Sequence, residues 1–181
     1  MGRANPLVDP VAAVGWLILA TAVLAPVWLF RRARQRNRPT ACALAGAVDL
    51  SLGIFSGALG LGHLIGVIGL AIERALGHRS TAFTYDFRFA ALLIVGVAVA
   101  GSGLLCLRWA GRLTTGALEA WRGAMTGTVL LLIVDLLLIP VQGFAVALSI
   151  GAAVNLAALL LTRRRFLEPA SRRGGCPGSG L

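Results

Sequence analysis

GAVDLSLGIFSGALGLGHLIGVIGL, residues 46–70, is apolar almost throughout, yet it holds a carboxylic acid at Asp49 and an imidazole at His63. A helix needs ~20 residues to cross the ~30 Å hydrocarbon core of a bilayer, so this stretch is long enough to span one. Three more apolar tracts accompany it. The four run from Val11 to Phe30, Ala41 to Ile72, Phe89 to Leu107 and Ala124 to Thr162. The first and third suit one crossing each. The second is long for one, so a tilt, a break or an interfacial end must absorb the excess. The fourth suits two crossings, because Pro140 and Gly143 in "IPVQGF" can end one helix and turn the chain.

Composition agrees with this reading. Of the 181 residues 57% are hydrophobic and 13% charged, about half the charged share of a soluble domain, and the mean hydropathy is +0.84. The net charge of +10 comes from Arg alone, with no Lys. These arginines sit at the ends of the apolar tracts, where they meet anionic headgroups, so the basic balance points to a membrane surface and not to nucleic acid. The Lys-free, Ala- and Gly-rich composition suggests a GC-rich bacterial genome. Cys42, Cys106 and Cys176 form no CxxC and no zinc-type spacing with the two histidines, and no metal or cofactor is expected.

The fold class predicted is an all-α integral membrane bundle of five transmembrane helices, about 9–30, 43–72, 88–107, 124–141 and 144–162. One membrane domain covers 1–162, followed by a basic tail at 163–181 expected to be disordered. With the N-terminus outside and the C-terminus inside, 13 Arg fall on the inner side and 4 on the outer, as the positive-inside rule requires. The expected location is a bacterial cytoplasmic membrane. The first tract reads as an uncleaved anchor, since its strong positive flank follows it. Arg31, Arg32, Arg34, Arg36, Arg38, Arg163, Arg164 and Arg165 are the expected headgroup contacts. Trp16, Trp28, Trp109 and Trp121 suit interfacial anchoring, and "LEAWRGAM" reads as a short interfacial helix.

On a helix, Asp49, Ser56 and His63 recur every seven residues and share one stripe, with Gly53 and Gly60 between them. Gly53 and Gly57 make one GxxxG, Gly62 and Gly66 another, and such pairs let helices approach closely. Two readings follow. The polar groups bond across helix contacts, or they line a wet path, since ionisable residues inside a membrane are costly. Asp135 and Asn155 are further members of either set. "AVDLSLGI" at 47–54 is echoed by "IVDLLLIP" at 133–140, which would pair Asp49 with Asp135, although chance explains so short a match. Glu73, His78, Tyr85 and Asp86 lie in or beside the longest outer loop and fit an ordinary solvated segment. Ser56 and His63 lie ~10 Å apart along a helix, too far for a nucleophile and its base, and no catalytic motif is present. The function expected is a non-catalytic subunit or assembly partner, bound to anionic lipid and to other membrane proteins or a second copy. The alternative is a small transporter or channel component moving protons or a small solute past Asp49, His63 and Asp135.

Overall fold

A computed structural model describes residues 10–76, 86–138 and 144–167, and every regular element among them is an α-helix. These are α1 (Pro10–Gln35), α2 (Thr40–Ala75), α3 (Asp86–Leu113), α4 (Leu118–Leu138) and α5 (Phe144–Leu167). Each is long and apolar enough to cross a membrane. The long second tract is one helix of 36 residues with no internal proline. At 1.5 Å per residue it is ~54 Å long, well beyond the hydrocarbon thickness.

Two short turns set the topology. At the end of α1, Asn37 takes a left-handed conformation (φ 56°). Its N–H bonds the Arg34 carbonyl and that of Arg38 bonds Ala33, both at 3.0 Å, so the helix closes in a Schellman motif. Gly116 (φ 75°) does the same service after α3. Its N–H bonds the Leu113 carbonyl at 3.0 Å. The helices these turns join are therefore antiparallel, and the pairings Gly46–Ala110 with Gly60–Ala100 and Trp121–Leu159 with Thr128–Asn155 show the same for α2 with α3 and for α4 with α5. Helices α2, α3, α4 and α5 close into a bundle through contact between α2 and α5, and α1 lies along α2 outside that ring. One end of the bundle gathers Arg31, Arg32, Arg34, Arg36, Arg38, Arg108, Arg112, Arg122, Arg163, Arg164 and Arg165.

The interior is the reverse of a soluble core. Buried positions are mostly small or polar, whereas Trp16, Leu17, Ile65, Ile94, Leu137 and Leu161 are exposed. In lipid this arrangement is stable, because an apolar exterior carries no penalty and helices associate through close packing and internal hydrogen bonds. On α2 the close-packing seam is Gly46, Gly53 and Gly60, one residue every two turns. A Cβ on Gly46 would lie 2.6 Å from the Ala110 carbonyl oxygen, and one on Gly53 would lie 2.9 Å from the Leu107 nitrogen. One on Gly60 would collide with the Ala100 backbone.

Pro26 lies inside α1. It has no N–H, so the Ala22 carbonyl four residues earlier loses its helical donor. The Ser51 hydroxyl of α2 donates to that carbonyl at 2.9 Å. A backbone defect in one helix thus becomes the polar tie to the next.

Several helix ends differ from the sequence reading: α1 runs on to Gln35, α3 to Leu113, and α4 starts at Leu118. "LEAWRGAM" is the opening of α4 and not a separate helix, because Ala120 and Ala124 are buried in the core continuous with the rest of α4. Helix α5 continues through the first residues of the expected tail to Leu167, since Phe166 buries against the core around Cys42 and Leu113. Trp121 is half-buried, and its indole N–H donates to the Leu159 carbonyl at 2.8 Å, joining α4 to α5. The tail beyond 167, the outer-loop residues His78 and Tyr85, and the turn at 139–143 lie outside the described residues.

Candidate functional site

Four helices each contribute one buried polar side chain to a single cross-section of the bundle: Asp49 on α2, Cys106 on α3, Thr128 on α4 and Asn155 on α5. The Asn155 amide nitrogen donates one N–H to Asp49 Oδ1 and the other to Thr128 Oγ1, each at 2.9 Å. The Cys106 thiol adjoins the Asp49 carboxyl group and the Thr128 hydroxyl. Both donors of the amide are used. Asp49 Oδ2 and Asn155 Oδ1, two acceptors on the bonded pair, have no hydrogen-bond partner.

Each member arrives at this layer for a local reason. Gly46 and Gly53 let α2 settle directly on α3, which places Asp49 beside Cys106. Gly127 gives α4 the same access: a Cβ there would lie 3.3 Å from the Cys106 sulfur and 3.2 Å from Leu105. Asn155 then fills the gap between α2 and α4 from α5. The layer can tie four helices together, and in a medium without water an unmade bond among such groups is costly. It holds no nucleophile–base pair of the usual kind.

The other candidates have separate surroundings. Ser56 is buried and donates to the Leu52 carbonyl of its own helix at 2.8 Å. Asp135 is fully buried on α4, two turns or ~10.5 Å beyond Thr128. Neither of its carboxyl oxygens has a hydrogen-bond partner. His63 Nε2 is buried and unpartnered as well, so Asp135 and His63 form no hydrogen-bonded pair. The sequence echo between 47–54 and 133–140 has no counterpart in depth: Asn155 bridges Asp49 to Thr128, so Thr128 and not Asp135 is the equal of Asp49 across the bundle.

Of the GxxxG pairs, Gly53 packs on α3, and Gly57 lies beneath Gly103, where any Cβ would strike the Gly57 backbone. Gly62 and Gly66 differ. A Cβ on either meets nothing within 4 Å, so neither packs against another helix of this chain. Arg34 is turned to the start of α2, donating to the Thr40 hydroxyl at 2.6 Å. Arg32 stacks over Trp28, 4.9 Å from the ring centre.

Sequence reasoning missed Cys106 and Thr128. The available signal was the seven-residue interval between Thr128 and Asp135, which gives α4 a polar stripe like that of α2. Among the described residues, no group of three His, Cys, Asp or Glu side chains converges to hold a metal ion. The chain matches no protein-family model, no curated protein and no solved structure.

Proposed function

We propose that this chain is a non-catalytic membrane subunit or assembly partner, set in a bacterial cytoplasmic membrane with its arginine-rich end inside. The observation that carries the reading is the outward face of α2. Gly62, Gly66 and Gly69 follow at intervals of four and three residues, and a Cβ on any of them meets nothing. Leu61, Ile65, Ile68 and Ile72 beside them are exposed. The same helix spends Gly46, Gly53 and Gly60 on a close contact with α3. The second glycine series has the form of a contact seam without a helix of its own chain to fill it, and a transmembrane helix of another chain or a second copy fits that form.

Gly62→Leu with Gly66→Leu tests this. Since both side chains enter open space, the fold should keep its thermal stability while copurification with the native membrane partner, or crosslinking between copies, is lost. Unchanged association would remove the reading.

A second reading draws on Asp135 and His63. Buried ionisable groups without partners inside a membrane are a transport hypothesis by default, and both oxygens of Asp135 are in that state. Under it, His63→Ala and Asp135→Asn each abolish pH-dependent flux in reconstituted vesicles. Absence of such flux from the well-folded parent protein would exclude it.

A further inference from the structure

The arginine-rich end of the bundle holds a cavity of about 270 Å³ lined by Trp28, Leu29, Arg32, Ala33, Arg36, Arg38, Gly111, Thr114 and Thr115. It lies between the end of α1, the turn after it, and the end of α3. At about 30 Å³ per water it has room for roughly nine waters, enough for a phosphate ester head. Its lining includes three arginines and no acid.

From these observations we propose that this cavity is a binding site for a phosphate-bearing anion. The argument begins with the turn. The Schellman motif fixes Arg38 relative to the last turn of α1, so Arg38, Arg36 and Arg32 border one space. Arg34, on the other side of the helix, is already engaged with Thr40. Arg32 is held against Trp28, leaving the edges of its planar guanidinium free to donate.

Two helix C-termini meet here, and each presents about half a negative charge. Three full positive charges exceed that, so complementing the helix ends does not use up the arginines. The carbonyls that would repel an anion are partly covered. Thr114 donates to the Gly111 carbonyl and Thr115 to the Arg112 carbonyl, both at 2.7 Å.

Gly111 supplies the remaining condition. A Cβ there meets nothing within 4 Å, so its lack of a side chain leaves the cavity open. Guanidinium groups bind phosphate oxygens in bidentate fashion, and Trp28 beside them suits the depth of lipid headgroups. The phosphate can belong to an anionic phospholipid or to a soluble phosphate, and the two sources are separable.

The test uses the full chain in nanodiscs of phosphatidylcholine, with or without phosphatidylglycerol, or with added inorganic phosphate. Native mass spectrometry reads the retained lipid, and equilibrium dialysis reads the phosphate. An arginine near an anionic surface is worth about fivefold in binding. Arg36→Gln should therefore lower retention about fivefold, and the triple change Arg32→Gln, Arg36→Gln, Arg38→Gln about a hundredfold. Gly111→Phe should abolish retention with every charge in place, and its circular dichroism should match the parent. Arg122→Gln removes a charge elsewhere at the same end, on α4 and outside the cavity lining, and should leave retention unchanged. Retained phosphatidylglycerol identifies a lipid site, and phosphate bound without lipid identifies a soluble ligand. If neither binds, if Gly111→Phe binds as the parent does, or if Arg122→Gln acts as strongly as Arg36→Gln, the proposal is overturned.

Discussion

Replacing Asn155 by Ala should be among the most damaging single changes in the bundle interior. Asn155 is fully buried and makes two hydrogen bonds of 2.9 Å, to helices α2 and α4. Interhelical hydrogen bonds in membrane proteins average about 0.6 kcal/mol and reach about 1.7, so the two bonds are worth about 1–3 kcal/mol. Truncation also strands Asp49 Oδ1, which has no other amide donor, and an orphaned buried acceptor adds about 1–3 kcal/mol. Together these give a loss of about 2–6 kcal/mol. Thr128→Ala removes one bond and should lose about 1 kcal/mol. Asp49→Asn keeps an oxygen acceptor at the same place and should fall within about 1 kcal/mol of the parent. The assay is reversible unfolding in mixed micelles, with a double-mutant cycle between Asp49→Ala and Asn155→Ala. A coupling of about 0.6–1.7 kcal/mol is expected. Additive effects, with no measurable coupling, would mean that the contact ties nothing together and that the polar layer does not hold the bundle.

The remaining predictions concern other parts of the chain. Gly60→Leu should strongly destabilise the protein because its side chain has only the Ala100 backbone to enter, whereas Gly62→Leu should leave unfolding unchanged. Equal effects from the two would refute the assignment of the α2–α3 seam. Ser51→Ala should lose about 1 kcal/mol by freeing the Ala22 carbonyl. In a Pro26→Ala background the loss should shrink, since residue 26 then supplies the helical N–H. Cys42 and Cys106 are buried, so a membrane-impermeant thiol reagent should report on Cys176. Labelling only after lysis supports an inner C-terminus, and a cysteine introduced at Thr81 should label in intact cells.

The five helices were legible because each apolar tract is long enough for one or two bilayer crossings and is flanked by arginine or broken by Pro140 and Gly143. Helix faces were less so. A GxxxG spacing states that two glycines share a face but not what that face meets. Gly53 and Gly62 belong to such pairs on one helix, yet one lies against α3 and the other meets no other helix among the described residues. The heptad series Gly46, Gly53 and Gly60 carried the contact, because a seven-residue interval keeps the same side toward one neighbour for longer than a four-residue one. Asp49 and Asn155 stood out as polar residues in apolar tracts. Their pairing did not, because it spans 106 positions in sequence and depends on the bundle closing α5 back onto α2. Cys106 and Thr128 pass on an apolar helix as small residues, and only the cross-section gives them a role.

The stripe Asp49, Ser56, His63 illustrates what a shared helix face leaves open. Its three members lie in line, yet each meets a different environment. Asp49 is bonded across the bundle to Asn155. Ser56 spends its hydroxyl on its own helix, which a serine can do anywhere in a transmembrane segment. Only His63 has a buried nitrogen left over. A continuous polar path along α2 would need Ser56 to pass a proton or a water between the other two, and its hydroxyl is instead committed to the Leu52 carbonyl, next to the close approach of Gly57 and Gly103. The stripe therefore divides into a layer that ties the helices together at Asp49 and a separate unpartnered group at His63. If ion movement occurs in this protein, the unpartnered groups outside the polar layer are His63 and Asp135. Asp49→Asn should then leave it intact, while Asp135→Asn should stop it. Loss of flux from Asp49→Asn with unfolding unchanged would return Asp49 to the path and undo this division.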